Sequence, residues 1–426
     1  MESFPELIGR YHPAAFAVMR ATSRYARRDR ADLASRRQTG PVTDILRLLH
    51  VADVHLGTPF AGRAPELRER LRDAVKQAFG NAVDEALVRR VDGVMIAGDL
   101  YEAATFSYAD ERWLARQLTR LAEANIGVFY ATGNHDPAGA RHREIAWPEG
   151  VEVFAMREPR RASLRRRDEI VLHVVGAGHE SNAETTDLAA GFPAAAPGPP
   201  VIGLLHAQVG GAGAGRHARY APTDAATLDS KGYAYWALGH VHQRQRLTGS
   251  TLAIYPGNVQ GRDPTETGPR GAALVELTLD GLASFRWLDL APLVWLGLEA
   301  WLDESIRDAD EALDAVRRSV EQAVAAGSRE RTLVRIAVSG RSPAASRLSD
   351  GELTAQLSRE AASALGLADL EMVIGDLRRP VDVESRRGRP DVLGIALDLA
   401  AASRGESSEG LFDGVEEELV ERFTRS

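Results

Sequence analysis

Cysteine is absent from this 426-residue chain. That gap excludes disulfide frameworks, zinc–thiolate centres and iron–sulfur clusters, and it fits a reducing compartment, so a cytoplasmic location is expected. Lysine is almost missing as well: Lys76 and Lys231 stand alone among 52 basic residues. Such a bias toward arginine, beside abundant alanine and glycine, fits a GC-rich coding sequence and is not read as nucleic-acid binding. Long apolar runs are also lacking. A stretch such as Leu293 to Leu298 falls well short of the roughly 20 residues that span a bilayer, so no transmembrane helix and no membrane partner are expected.

The chain is too long for one compact core, which suggests two domains and an appendage. Its charge is uneven, about +3 over residues 1–44, −2 over 45–290 and −9 over 291–426. The acidic last third would repel a phosphate backbone, so it suits shaping a site or meeting a protein better than holding DNA. Arg20, Arg24, Arg27, Arg28, Arg30, Arg36 and Arg37 give residues 1–44 the look of a transit peptide or a nucleic-acid arm. Glu2, Glu6, Asp29 and Asp32 argue against a transit peptide, and no apolar core of a secretion signal is present. This segment is expected to be a poorly ordered extension without a site.

The rest is organised around Gly93 to Asp99, an apolar run ending on glycine and then a carboxylate. A continuous apolar run of this length reads as a strand buried on both faces, and functional groups in such sheets sit beyond the strand's carboxyl end. One Asp there is weak, because Asp at a strand end commonly forms a turn or caps a helix. Four other apolar runs, however, end in the same way. Asp53-Val54-His55 follows Ile45 to Val51, and Gly133-Asn134-His135-Asp136 follows Ile126 to Ala131. His206 ends Val201 to Leu205, and Gly239-His240-Val241-His242 follows Tyr235 to Leu238. Of the other histidines, His50 and His173 read as core residues within strands, and His12, His142, His179 and His217 as loop or surface positions.

Carboxylates, imidazoles and the Asn134 carbonyl are oxygen and nitrogen donors suited to Mn²⁺, Fe²⁺ or Mg²⁺. They outnumber what one ion uses, so two ions are implied. A pair of cations roughly 3.5–4 Å apart can orient a phosphodiester, stabilise its developing charge and activate water.

Between these runs, Leu67, Leu71, Val75, Phe79 and Val83 recur at helical spacing after Pro65, as do Trp113, Leu114, Leu118 and Leu121 later. Arg157 to Arg167 reads as a basic, solvated loop. Gly176 to Pro200 and Gly210 to Gly215 read as long rim loops. Thr251 to Tyr255, Ala272 to Leu279 and Ala283 to Leu290 read as a meander closing a second sheet.

The ordered series Asp53-x-His55, Gly98-Asp99, Gly133-Asn134-His135-Asp136, His206 and Gly239-His240-x-His242 resembles the calcineurin-like metallophosphoesterases. Leu49 to Gly57, Tyr235 to His240 and Tyr255-Pro256-Gly257-Asn258-Val259-Gln260-Gly261-Arg262 narrow the resemblance to bacterial DNA repair exonucleases of the SbcD and YhaO type. It covers about residues 45–290 and implies a four-layer α/β/β/α sandwich followed by a small α/β cap domain and C-terminal helices. It places Asp53, His55, Asp99 and His242 on one metal and Asp99, Asn134, His206 and His240 on the other, with Asp99 shared. His135 would then be the catalytic acid or charge neutraliser, and Asp136 would orient its loop. Relatives often carry His or Asp where Glu102 stands, so any support given to His135 is altered here.

The implied activity is a Mn²⁺-dependent DNA exonuclease and single-strand endonuclease in repair, with an SbcC-type coiled-coil ATPase as partner. Members often dimerise, which the residues themselves do not establish. Rival functions are hydrolysis of a nucleotide or another small phosphodiester and, from a different class, a non-catalytic scaffold; the intact site series argues against the scaffold. The expected organisation is an extension over 1–44, a nuclease domain over 45–292, an α/β cap over 293–390 and a helical partner-binding segment over 391–426. In that last segment Phe412, Val415, Leu419 and Phe423 form an apolar stripe after a linker from Ser403 to Gly410.

Overall fold

The structure is a computed structural model that describes residues 45–140, 145–210, 219–380 and 383–402. The expected extension over 1–44 and the terminal amphipathic stripe lie outside the described residues.

Among the described residues three sheets carry the fold. In the first, β1 (Ile45–Val51), β2 (Gly93–Ala97), β3 (Gly127–Ala131) and β4 (Val151–Phe154) run parallel, and the hairpin of β11 (Gly271–Thr278) and β12 (Ala283–Asp289) flanks β1. In the second, β6 (Glu169–Gly176), β7 (Val201–His206), β8 (Tyr235–Gly239) and β10 (Leu252–Tyr255) are parallel. Antiparallel β5 (Arg160–Arg166) and β9 (Gln245–Arg246) form its edges.

Alternation along each strand sorts side chains between two cores. Leu46 and Leu48 of β1, Met95 and Ala97 of β2, and Phe129 and Ala131 of β3 meet Leu172, Ile202, Leu204, Tyr235 and Ala237 of the second sheet. Leu49, Val51, Val94, Ile96, Val128 and Tyr130 point the other way, onto α1 (Pro65–Arg89) and α2 (Tyr108–Glu123). Proline opens α1, and Ser107 with Asp110 closes a capping box on α2. Beyond the second sheet the outer layer is thin, made of α3 (Ala225–Ser230), a 3₁₀ turn at Ala189–Gly191 and loops packed around Trp236 and Phe192. The four-layer α/β architecture follows.

The third sheet is wholly parallel, with β13 (Val294–Leu302), β14 (Thr332–Arg341) and β15 (Asp369–Arg378) covered on one face by α4 (Ala309–Ala323) and α6 (Gly351–Leu365), beside the short α5 (Ala345–Leu348). The last described helix is α7 (Val392–Ala402).

Three expectations change. The hairpin β11–β12 extends the first sheet and does not close the second; only β10 of the expected meander joins the second. The basic stretch after Arg157 is largely strand, because Ala162 and Leu164 are buried against the inter-sheet core while Arg161, Ser163 and Arg165 alternate with them on the exposed face. Its charges are partly paired, Arg160 with Glu152 at 3.0 Å and Arg166 with Asp92 at 2.6 Å. A nine-residue strand, β13, occupies a stretch legible in sequence only as a short apolar run.

Candidate metal centre

The carboxyl ends of β1, β2 and β3 in the first sheet and of β7 and β8 in the second meet at one place. The loop after β1 is zipped to the loop after β2 by Asp53 N–H to Gly98 O at 3.1 Å, His55 N–H to Asp99 O at 2.9 Å and Leu56 N–H to Leu100 O at 3.0 Å. These loops are strained: Asp53, His55 and Asp99 have φ of 52°, 53° and 51°, and His240 has φ of 105°. Such conformations cost about 1–3 kcal/mol each and persist only where the surroundings impose them. Gly98 is required for close packing as well as for its φ of +81°, since a Cβ there would lie 2.2 Å from His206 Nδ1.

Three histidines each spend one ring nitrogen on a support and turn the other inward. His55 Nδ1 meets Glu102 Oε1 at 2.9 Å, His242 Nδ1 meets Glu266 Oε1 at 2.5 Å, and His206 Nδ1 donates to Ala97 O at 2.9 Å. Their Nε2 atoms converge, with His55 and His242 only 3.2 Å apart. Asp99 Oδ2 lies 3.7 Å from His55 Nε2 and 3.3 Å from His206 Nε2, between the two rings. Asn134 Oδ1 stands 3.0 Å from His206 Nε2, and Asp53 Oδ1 is 3.9 Å from both His206 and His242. Two groups of donors therefore lie within mutual ligating distance: Asp53, His55 and His242, and Asp53, Asp99 and His206. Lone pairs of buried nitrogens and oxygens facing one another leave room only for protons or cations, so the donor set fits divalent ions.

His240 stands apart from these groups. It is buried, its ring centroid lies 5.2 Å from that of His206 and 5.8 Å from that of Tyr220, and its backbone N–H donates to both Asp53 carboxylate oxygens, at 3.0 and 3.2 Å.

Electrostatics follow from burying several carboxylates together. Burial lowers the pKa of His206, but Asp99 and Asp53 outweigh it and push it up to about 9. The same field attracts a cation. Burial, with the Arg262 charge, brings His55 down to about 3. Burial raises Glu102, but hydrogen bonds from His135 and His55 hold it well below the usual carboxylate range. Burial lowers His135, and its bond to Glu102 with the Asp99 charge lifts it above its ordinary value.

His135 is the open member of the set. Its side chain is 41% exposed, its Nδ1 is 2.7 Å from Glu102 Oε2, and its backbone N–H donates to Asp99 Oδ1 at 2.8 Å. His55, Glu102 and His135 thus form a third cluster. Asp136 faces away from the converging Nε2 atoms and binds main chain. Its Oδ1 accepts from Asp99 N at 3.2 Å and Gly133 N at 2.6 Å, and its Oδ2 from Leu100 N at 2.5 Å, Tyr101 N at 3.3 Å and Tyr130 Oη at 2.6 Å. Burial and the Asp99 charge push Asp136 up to about 6, while these five donors stabilise its anion.

Sequence reasoning missed Glu266, Arg270 and His179. Glu266 lies in an irregular segment without periodicity, and its only signal is its nearness to the Tyr255–Arg262 motif. Arg270 is buried and donates to His242 O and, at 3.1 Å, to Asn258 Oδ1. His179, expected at a loop or surface position, is fully buried and hydrogen-bonds His206 O at 2.7 Å through Nε2. His173, expected in the core, is only half-buried and meets Ser163 at 3.0 Å.

Comparison with known proteins agrees with this geometry. Residues 46–244 match the calcineurin-like phosphoesterase family. This segment belongs to the calcineurin-like metallophosphoesterases. Within them, the chain is 34% identical over 254 residues to the uncharacterized metallophosphoesterase YhaO of Bacillus subtilis, an alignment covering 59% of this chain and 62% of that protein. It is 24% identical over 291 residues to the DNA double-strand break repair protein Mre11 of Sulfolobus acidocaldarius, covering 65% of this chain and 72% of that one. It is 31% identical over 109 residues to the SbcD component of the nuclease SbcCD of Rhodobacter capsulatus, covering 25% of this chain and 24% of that one. The chain spans less than two thirds of the YhaO protein's length. Among the described residues no helix is long and apolar enough to cross a membrane.

Proposed function

We propose that the protein is a Mn²⁺-dependent phosphodiesterase that cuts DNA ends and single strands in repair, in the cytoplasm and together with an SbcC-type ATPase. The observation that carries this reading is the convergence of three histidine Nε2 atoms on buried carboxylates, each histidine held from behind by its own partner. Asp53, His55, Asp99 and His242 would hold one ion, and Asp99, Asn134, His206 and His240 the second. Asp99 is favoured over Asp53 as the shared ligand because His206 Nδ1 is spent on Ala97 O, leaving Nε2 beside Asp99 Oδ2 at 3.3 Å. Two divalent ions in such a site supply positive charge to orient the phosphodiester and acidify an attacking water.

The remaining chemistry belongs to side chains. His135, exposed on one flank and hydrogen-bonded to Glu102 on the other, is suited to give a proton to the leaving oxygen or to neutralise charge there. Asp136 fixes the two loops that carry Asp99 and Asn134. The α/β unit built on β13–β15 would serve as a cap, and the segment beyond residue 391 would meet the ATPase.

The test uses purified full-length protein with Mn²⁺, on a labelled DNA hairpin and on bis(p-nitrophenyl) phosphate. Chelation should abolish turnover of both and Mn²⁺ should restore it best. Asp99→Ala should lose both ions by elemental analysis. Cleavage of the small ester without any cleavage of DNA would instead favour a phosphodiesterase of small substrates, and a full metal complement in Asp99→Ala would refute the shared ligand.

A further inference from the structure

Between Asn258 and Arg270 the chain runs past the site without contributing a ligand to it, yet its polar side chains reach His242 directly and His55 and His135 through Glu102. Glu266 is the hub. Its Oε1 meets His242 Nδ1 at 2.5 Å, and its Oε2 accepts from Asn258 Nδ2 and from the backbone N–H of Arg262, both at 2.7 Å. The Arg262 side chain then crosses to the opposite flank, where Nη1 donates to Glu102 Oε1 at 3.0 Å and to Thr58 Oγ1 at 3.3 Å. From behind, the segment is braced by the first strand of the third sheet, with Trp295 Nε1 donating to Gly261 O at 3.2 Å and Gly268 N–H to Trp295 O at 3.1 Å.

We propose that Arg262 is a positioning residue for His135, fixing Glu102 so that one carboxylate oxygen serves His55 and the other serves His135. This deepens the phosphodiesterase reading and rests on it. The geometry divides the carboxylate cleanly: Oε1 takes His55 at 2.9 Å together with Arg262, and Oε2 takes His135 alone at 2.7 Å. The terminal torsion of a glutamate is broad and roughly two-fold, so nothing in Glu102 itself holds this orientation. A guanidinium anchored on Thr58 and on a backbone pinned by Glu266 does. Loss of that anchor lets the carboxylate turn, and His135 and His55 then share it differently.

A direct role for Arg262 on the substrate phosphate is less well served by the structure. Its side chain is only 19% exposed, and its Nε is buried without a hydrogen-bond partner among the described residues. The accessible part of the guanidinium is small, whereas its contact with Glu102 is short and partly buried.

The experiment compares Arg262→Gln, Arg262→Lys, Glu102→Gln and the double variant Arg262→Gln/Glu102→Gln in the full-length chain. Loss of an outer support around a metal site costs about 10–100-fold, and for Arg262→Gln this should fall on kcat for bis(p-nitrophenyl) phosphate with KM unchanged. Arg262→Lys should recover part of it. In the Glu102→Gln background, Arg262→Gln should add no further loss, because its effect passes through Glu102. Independently of activity, metal-free protein labelled with ¹⁵N-histidine should show the His135 and His55 ring signals displaced in Arg262→Gln, and His242 unmoved.

A rise in KM with kcat intact would assign Arg262 to substrate binding and overturn the proposal. So would multiplying losses in the double variant, or unmoved His135 and His55 signals. If Arg262→Gln fails to fold, Arg262→Lys carries the same comparison. If the parent protein turns over no phosphodiester, the phosphodiesterase reading falls, and the histidine signals still decide the role of Arg262.

Discussion

Replacing Asp136 tests how the two loops beneath the site are held. Its carboxylate receives five donors, four from backbone and one from Tyr130, with Asp99 N and Gly133 N on Oδ1 and Leu100 N, Tyr101 N and Tyr130 Oη on Oδ2. A buried donor left unpaired costs about 1–3 kcal/mol, so losing all five outright would consume most of a domain's typical stability of about 5–15 kcal/mol. Water entering the space left by alanine recovers part of this, and Asp136→Ala is expected to cost about 3–5 kcal/mol, the range for breaking a buried charged network. Asparagine keeps the shape. Its carbonyl can still accept from Asp99 N and Gly133 N, while its amide faces Leu100 N and Tyr101 N, so two donors are stranded and the expected cost is about 2–4 kcal/mol. Tyr130→Phe removes one donor and leaves no group stranded, and should cost about 1 kcal/mol. The assay is urea denaturation followed by tryptophan fluorescence with chelator present, so that bound ions do not enter the balance. If Asp136→Asn cost under about 0.5 kcal/mol, or if Tyr130→Phe cost more than Asp136→Ala, the view of Asp136 as the clasp of both loops would be wrong.

Other consequences can be checked with single variants. His135→Ala should slow cleavage by about 10²–10⁴-fold, the range for losing a general acid, while elemental analysis finds the metal content unchanged; loss of metal would contradict the assignment. Gly133→Ala places a Cβ 2.3 Å from Asp99 Oδ1, so the variant should bind metal weakly even where it folds, and normal titration by calorimetry would show that the loop can yield. His50, buried against the Tyr235 hydroxyl at 2.7 Å, has its pKa pushed by burial from 6.5 down to about 3. The unfolded chain therefore takes up a proton below pH 6.5 that the folded one refuses. Stability should fall as pH drops from 6.5 toward 3, by at most about 1.4 kcal/mol per pH unit from this group, and His50→Gln should flatten the slope of denaturation midpoints between pH 6.5 and 5.

The parts of the fold legible in sequence are those whose burial leaves a local mark. Gly93 to Ala97 and Tyr235 to Leu238 are buried on both faces, and such strands read as unbroken apolar runs. The donors at their ends stand out because carboxylates and histidines directly after a buried strand have few other uses in such numbers. Partnership is harder to see. Nothing local says that β11 lies against β1, since that pairing is decided by which edge is free after the parallel strands have formed. β13 exposes Glu299 and Trp301 and buries Ala300 and Leu302, but because Trp301 is itself apolar the alternation leaves almost no mark in the residue types. Glu266 meets His242 only through a tertiary contact that no spacing announces, and Arg262, although it ends the Tyr255–Arg262 motif, carries no local sign of its contact with Glu102.

The donors that face one another come from two different sheets: Asp53, His55, Asp99 and Asn134 follow strands of the first, and His206 and His242 end or follow strands of the second. The contact between those sheets is otherwise apolar and non-directional, with Leu48, Met95 and Phe129 set against Leu204 and Tyr235. Greasy surfaces of this kind tolerate small slips of one layer over the other; coordination does not. A cation gripped from both sides would act as a dowel across the seam, fixing the register of the two halves and adding stability that grows with its concentration, about 2.7 kcal/mol at a hundred times the dissociation constant. Thermal unfolding in graded Mn²⁺ would then report the alignment of the sandwich as well as occupancy, and the protein would be at its most ordered only when it is also loaded for chemistry.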